Sequence, residues 1–298
     1  MKIGMIGLGK MGYNLALNLR DHGYDVVAFD KSAAAVEKVQ NEGIHGAKSI
    51  EELVEKLNER RVIWVMVPSG QFVDDVLLEL LGLVDRNDII IDGGNSHYKD
   101  TLRRSAMLDA KGIDFADIGT SGGMAGARDG ACTMIGAKTH VYNYLEPILK
   151  AISIEGGCLH TGENGSGHYV KMIHNGIEYG MMQSIGEGFD ILKAGPFDLD
   201  YEKVAGVWNH GSVIRSWLME LTEDLFKKDP ELDSLKGVVD SSGEGLWTLQ
   251  EAMELSIPTP VIALSLFTRF SSKIDDSFSN KLVAGLRNEF GGHAVTKK

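Results

Sequence analysis

The sequence predicts an α/β fold, a doubly wound parallel sheet followed by an all-α C-terminal domain. Three observations carry this. From Met1 to about Gly162, short apolar runs alternate with amphipathic stretches, the rhythm of repeated βαβ units. A glycine-rich turn joins the first apolar run to the first amphipathic stretch. After the cluster Gly156, Gly157, Gly162 and Gly165 the strand pattern stops, while helical periodicity continues to the end.

Strands are expected over 2–6, 25–30, 62–67, 88–92, 114–118, 131–135 and 152–159, each a short run of apolar and β-branched residues. Between them, 11–21, 33–40, 50–57, 72–81, 98–110 and 140–150 carry apolar residues at helical spacing. The composition shift divides the chain into a dinucleotide-binding domain, 1–165, and an all-helical domain for substrate and oligomerisation, 166–298. The second domain opens with a helix over 166–194, stopped by Gly195-Pro196.

Composition excludes several function classes. With 298 residues, 43% hydrophobic and 24% charged, the chain can bury a full core. Its formal net charge of -12 would repel nucleic acid and anionic membrane over most of the surface, so an anionic substrate must meet locally placed cations. The apolar runs 3–8 and 62–68 are too short for a secretory core or a membrane span. Cys132 and Cys158 have neither a CxxC spacing nor the density of a disulfide scaffold, which fits reduced thiols in the cytoplasm.

The segment Gly7-Leu8-Gly9-Lys10-Met11-Gly12 follows the first strand and opens the first helix, the context that makes a GxGxxG string a dinucleotide site. Gly7 permits the turn, Gly9 lets the backbone approach a pyrophosphate, and Gly12 lets helix and strand pack closely. The fold is therefore expected to be Rossmann-type. Asp30 ends the second strand, where a carboxylate accepts hydrogen bonds from ribose hydroxyls and repels a 2'-phosphate. That favours NAD over NADP by about 1 to 3 kcal/mol, with Lys31 and Ser32 softening the difference; a solvated strand-end aspartate is the alternative. Two further strand ends, Val67-Pro68-Ser69-Gly70 and Asp92-Gly93-Gly94-Asn95-Ser96, converge on the same edge of the sheet. Val67 and Pro68 are expected beside the nicotinamide and Asn95 near ribose or substrate, although both segments are also good turn-formers.

Lys171, His174, Asn175, Glu178 and Tyr179 occupy i, i+3, i+4, i+7 and i+8 of the 166–194 helix and share one face. Val170, Met172, Ile173, Ile177, Met181 and Met182 surround this stripe and are expected to pack in protein, leaving the stripe to a cleft. An ordinary wet helix face is the alternative. His174 and Glu178 could form an i,i+4 metal pair, but no second pair with ligand spacing accompanies them, so no metal is expected.

The string 165–180, Gly-Ser-Gly-His-Tyr-Val-Lys-Met-Ile-His-Asn-Gly-Ile-Glu-Tyr-Gly, closely resembles that of 6-phosphogluconate dehydrogenases. Asp92-Gly93-Gly94-Asn95-Ser96, Ser121-Gly122-Gly123 and Arg287-Asn288-Glu289-Phe290-Gly291-Gly292-His293 match that family's motifs in the same order. The resemblance implies oxidation of 6-phosphogluconate followed by decarboxylation. It implies that Lys171 is the general base on the C3 hydroxyl and that Glu178 protonates C1 of the resulting enediol. Asn95, Ser121, Gly122, Gly123, His174 and Asn175 would hold the sugar acid, and Tyr179, Arg269, Arg287 and His293 its phosphate. Arginine forks suit phosphate; for Arg269 a surface cation on a 265–273 helix is the alternative, and for Ser121-Gly122-Gly123 a plain turn. A lysine base must have its pKa lowered by burial or nearby positive charge, a cost of about 3 to 4 kcal/mol. Family members place the tail in a neighbouring subunit's site, which implies a homo-oligomer.

The chain resembles the short form of the family, since many relatives carry an additional helical block. At Asp240-Ser241-Ser242-Gly243-Glu244-Gly245-Leu246-Trp247 it lacks the Lys-x-Thr element with which longer members contact phosphate. Where NADP-using relatives carry Asn-Arg-Thr it has Asp30-Lys31-Ser32. Two other readings are a non-decarboxylating NAD-dependent 3-hydroxyacid dehydrogenase, which has no enediol for Glu178 to protonate, and a dinucleotide-sensing or scaffold protein without turnover.

Overall fold

The structure, a computed structural model, describes residues 1–58 and 60–297. These form two compact units, Met1–His174 and Asn175–Lys298. In chain order the first holds β1 (Lys2–Ile6), α1 (Lys10–Asp21), β2 (Asp25–Phe29), α2 (Ala33–Asn41), β3 (His45–Gly46), α3 (Ile50–Glu55), β4 (Val62–Val65), α4 (Gln71–Leu80), β5 (Ile89–Asp92), α5 (Tyr98–Asp109), β6 (Asp114–Ser121), α6 (Gly123–Asp129), β7 (Ala131–Ala137), α7 (Thr139–Ala151) and β8 (Ser153–Gly162), and ends inside α8 (Ser166–Ala194).

One sheet of order β3-β2-β1-β4-β5-β6-β7-β8 organises this unit. The chain steps outward from β1 in both directions, so the crevice above the carboxyl ends of β1 and β4 is where a doubly wound sheet holds a ligand. Alternate residues enter opposite layers, as the two-residue period of a strand requires. Ile3, Met5, Trp64, Ile89 and Ile91 pack with Leu15 and Leu19 of α1 and with Val141 and Leu145 of α7. Ile6, Ile63, Val65 and Ile90 meet Leu53, Leu77, Leu80 and Leu108 on the other side. Being covered on both faces, the central strands read as unbroken apolar runs, and each such side chain contributes about 1.5 to 3 kcal/mol on burial.

The expected strands and helices are present, with β3 and α6 in addition to them, and the expectation of a wholly parallel sheet is corrected: β7 runs antiparallel to β6. A parallel crossover needs about a dozen residues or more, and residues 122–130 are too few, so the chain returns beside the strand it left. Pairing runs on to Ser121, opposite Cys132. Ser121 therefore ends a strand, and Gly122 and Gly123 open the short α6 where the sequence also allowed a plain turn.

The second unit is helical: the remainder of α8, then α9 (Tyr201–Asn209), α10 (Trp217–Lys228), α11 (Glu244–Glu254), α12 (Pro260–Ser271) and α13 (Phe278–Gly291). Phe189, Ala205, Met219 and Phe226 make its small core, with the Phe189 ring 5.0 Å from Phe226 and 5.5 Å from Trp208. Ser277 caps α13 by accepting from the Asn280 N–H, and Gly292 ends it at φ 63°, in the left-handed region. No residue of α13 is buried, and Phe278 and Phe290 are 80% and 78% exposed. Among the described residues, no helix is long and apolar enough to cross a membrane.

Candidate active site

The glycine turn lies between β1 and α1. Gly7 has φ 98°, and a Cβ there would stand 2.4 Å from the Met66 carbonyl oxygen. At Gly12 a Cβ would come within 2.0 Å of the Gly7 carbonyl oxygen, so any side chain would push α1 off the turn. Gly9 differs: nothing lies within 4 Å of where its Cβ would be. It is also the N-cap of α1, with no side-chain cap, so the leading N–H groups of Lys10, Met11 and Gly12 belong to a helix start suited to an anion. A dinucleotide diphosphate fits this cradle.

Asp30 follows β2 at the same edge. Its Oδ2 accepts from the Leu8 N–H at 2.7 Å and its Oδ1 from the Ser32 N–H at 2.8 Å. The carboxylate thus ties the glycine turn to the segment after β2, and it keeps lone pairs for ribose hydroxyls.

Val67 and Pro68 lie beyond the end of β4, and Asn95 beyond the end of β5. Arg104, fully buried on α5, joins their two loops. It donates to the Gly70 carbonyl at 2.9 Å, to Ser96 Oγ at 3.2 Å and to Asp74 at 2.8 Å, with Asp92 at 3.5 Å. The hydrogen bond from Arg104, reinforced by Arg103, holds the Asp74 carboxyl below the usual carboxylate range. This cation and its carboxylates are a buried set, costly to break, that fixes the spacing of the two loops.

Lys171 is 6% exposed and sits where β6 has no side chain: a Cβ on Gly119 would be 2.3 Å from the Lys171 Cβ. Its Nζ is 3.4 Å from His174 Nδ1, and His174 Nε2 is 3.2 Å from Ser121 Oγ. The structure therefore brings together Ser121, His174 and Lys171. The start of α8 is anchored by Asp117, whose carboxylate accepts backbone N–H groups of Gly165 and His168. Burial pushes that carboxyl above its ordinary range, against the pull of His168 and the two N–H donors.

Within the second unit, Asn175 and Tyr179 are 7% and 5% exposed and Glu178 is half-buried. The Arg269 guanidinium lies 3.5 Å from the centre of the Tyr179 ring and donates to the Asp240 carbonyl at 2.8 Å. Tyr179 Oη in turn accepts the Ser242 N–H at 3.4 Å. Tyr179, Arg269 and the segment lacking the Lys-x-Thr element thus form one cluster. Arg287 and His293 lie on exposed backbone, where the His293 N–H donates to the Arg287 carbonyl and the Asn288 amide donates to the His293 carbonyl.

One expectation for α8 is corrected. Val170, Ile177 and Met181 are exposed, Ile177 by 53%, whereas Lys171, Asn175 and Tyr179 of the polar stripe are buried. The helix docks on β6 through its lysine face because Gly119 leaves room there; Met172 is buried with it, Ile173 and Met182 are half-buried, and Val170, Ile177 and Met181 are left on the surface. Sequence reasoning missed Asp117 and Arg104; a lone carboxylate inside the apolar run Phe115-Ala116-Asp117-Ile118 was the available signal for the first. Among the described residues no group of three or more His, Cys, Asp or Glu could hold a metal ion.

Comparison with known proteins agrees with this geometry. A family model described as the NAD binding domain of 6-phosphogluconate dehydrogenase matches residues 2–162, and one described as the C-terminal domain of that enzyme matches residues 167–289. The YqeC protein of Bacillus subtilis, provisionally named a 6-phosphogluconate dehydrogenase, is 53% identical over 100% of both chains. An NAD(+)-dependent, decarboxylating 6-phosphogluconate dehydrogenase of Haloferax volcanii is 45% identical over 100% of this chain and 99% of its own. The solved 6-phosphogluconate dehydrogenase of Plasmodium falciparum, described with its cofactor NADP+ and its substrate 6-phosphogluconate, superposes with a TM-score of 0.84 at 31% identity, over 100% of this chain and 66% of that one.

Proposed function

The chain belongs to the 6-phosphogluconate dehydrogenase family, an NAD(P)-dependent oxidoreductase, and from that premise we propose that it converts 6-phospho-D-gluconate to ribulose 5-phosphate and carbon dioxide with NAD preferred to NADP. The observation that carries this reading is the buried Lys171 beside His174 on a helix that also bears Glu178, with Ser121 at the end of β6 against His174. The bound nicotinamide dinucleotide supplies the hydride acceptor. Gly7, Gly9, Lys10, Met11 and Gly12 hold its diphosphate, Asp30 its adenosine ribose, and Val67, Pro68 and Asn95 its nicotinamide end. Lys171 takes the proton of the C3 hydroxyl and, once protonated, hydrogen-bonds the 3-keto oxygen and draws electrons away as carbon dioxide leaves. Glu178 then protonates C1 of the enediol.

Asn95, Ser121, Gly122, Gly123, His174 and Asn175 hold the sugar acid, and Tyr179 with Arg269 its phosphate. Residues 1–165 act as the dinucleotide domain and 166–298 as the substrate domain. Unpaired Cys132 and Cys158 fit a reducing cytoplasm. A preference for NAD rests on the charge of Asp30 beside the glycine turn. The test is cofactor reduction at ~340 nm with 6-phosphogluconate while released carbon dioxide is measured. One carbon dioxide per reduced cofactor is expected, with kcat/KM about tenfold or more higher for NAD than for NADP. Reduction without carbon dioxide would sink decarboxylation, and a clear NADP preference would sink the role of Asp30.

A homo-oligomer follows from the same reading. Exposed Phe278, Leu282, Leu286 and Phe290 give α13 an apolar surface left uncovered among the described residues, and Arg287 and His293 complete the phosphate site of a neighbouring copy. Light scattering is expected to give a multiple of the 32.5 kDa chain mass, and a monomer at micromolar concentration would rule this out.

A further inference from the structure

Asp117 lies in mid-β6 with no exposed surface. A carboxylate there is costly unless its oxygens are hydrogen-bonded. Both are used, and by different donors: Oδ1 accepts from the Gly165 N–H at 2.6 Å and Oδ2 from the His168 N–H at 2.9 Å. A strand residue thus does for α8 what an N-cap ordinarily does from within the chain, satisfying donors of the opening turn.

The approach depends on missing side chains. A Cβ at Gly136 would stand 2.5 and 2.7 Å from the two Asp117 oxygens, and one at Gly167 would stand 2.6 Å from the Asp117 carbonyl oxygen. From this anchor a regular pairing develops. Asp117, Gly119 and Ser121 are alternate residues and share one face of β6. They meet His168, Lys171 and His174 in turn, which are three apart and share one face of α8. Asp117 bonds at His168, Gly119 admits Lys171, and Ser121 contacts His174. The first pair is the one with a charged acceptor, so it sets the axial position of the other two.

We propose that Asp117 is a positioning residue for the reaction: its carboxylate fixes the register of α8 against β6 and so places the Lys171 amine. This rests on the reading of Lys171 as the general base. Proton transfer is sensitive to placement, and a misplacement of about 1 Å can cost about 10²-fold in rate. The dinucleotide cradle at β1 and α1 makes no use of Asp117, so its affinity stays apart from the effect.

The test compares Asp117→Asn, Lys171→Ala and the double variant with the parent enzyme, using 6-phosphogluconate and NAD. Asparagine keeps the volume but offers one acceptor oxygen where two N–H groups need acceptors. Expected is a kcat lowered about tenfold or more with the KM for NAD unchanged, and a double variant no slower than Lys171→Ala alone. An unchanged kcat in Asp117→Asn overturns the proposal, as does a parallel loss of kcat and NAD affinity, which would mark general loosening. A double variant slower than Lys171→Ala overturns it too, because Asp117 would then act apart from the lysine. Near-normal turnover of Lys171→Ala overturns the reading of the base and this role with it, whereas an inactive Lys171→Ala beside an intact Asp117→Asn overturns the anchoring role alone. If Asp117→Asn does not fold, Gly136→Ala, which crowds the same carboxylate without removing its charge, is expected to give the same signature, and a normal kcat there overturns the proposal.

Discussion

Lys171→Ala is expected to lower kcat by about 10²-fold or more while leaving the KM for NAD close to that of the parent. The lysine is buried against Gly119, remote in sequence from the glycine turn and Asp30, so its loss removes proton transfer without disturbing the dinucleotide cradle. The residual rate would come from binding and orientation by the remaining groups, which is why the loss stops short of the full rate enhancement. Lys171→Arg sharpens the test. An arginine keeps the positive charge but does not give up its proton at any accessible pH, so it can support a developing oxyanion and cannot act as base. Steady-state kinetics of both variants settle the point: an arginine variant as fast as the parent would reduce the lysine to a positive charge and nothing more.

Glu178→Gln is expected to lower turnover by about 10²-fold, through a later step. Glutamine keeps the shape of the side chain and its hydrogen-bonding reach, yet has no acidic proton for C1 of the enediol. Oxidation precedes this protonation. A single-turnover experiment should therefore show cofactor reduction faster than release of ribulose 5-phosphate, a separation absent in the parent. Full activity in Glu178→Gln would assign the proton to water or another group. It would also remove the feature that separates this chemistry from simple oxidation of a 3-hydroxyacid, where no carbon needs a proton.

How far these features could be read in advance depended on whether they are local. The glycine turn, β1 and α8 were legible because each follows from a contiguous pattern: a short apolar run, a GxGxxG string, and a long helical period closed by Gly195-Pro196. The direction of β7 was not, since strand direction is decided by the length of a connection and the pairing at its far end. β3 spans only His45–Gly46, too little to show any period. Asp117 is a non-local cap: its partners are 48 and 51 positions away, and nothing in the run around it says which N–H groups it will meet. The exposure of Val170, Ile177 and Met181 on α8, beside a buried Met172, was not legible for a related reason. The face a helix buries is chosen by what it meets, and Gly119 made the lysine face the closer fit.

The two groups proposed to handle protons, Lys171 and Glu178, stand on one helical rod. α8 runs from Ser166 to Ala194, and Glu178 lies seven residue steps on from Lys171, about 10 Å of rise. Helix geometry therefore sets the interval along the backbone between the proposed base and the proposed acid, like marks on a ruler. Glutamate leans back toward the start of its helix, which shortens the span its carboxyl must bridge to reach the same small molecule as the amine. The proposed reaction leaves little freedom to insert or delete a residue between those two marks, because one extra residue would swing the Glu178 side chain about 100° around the rod.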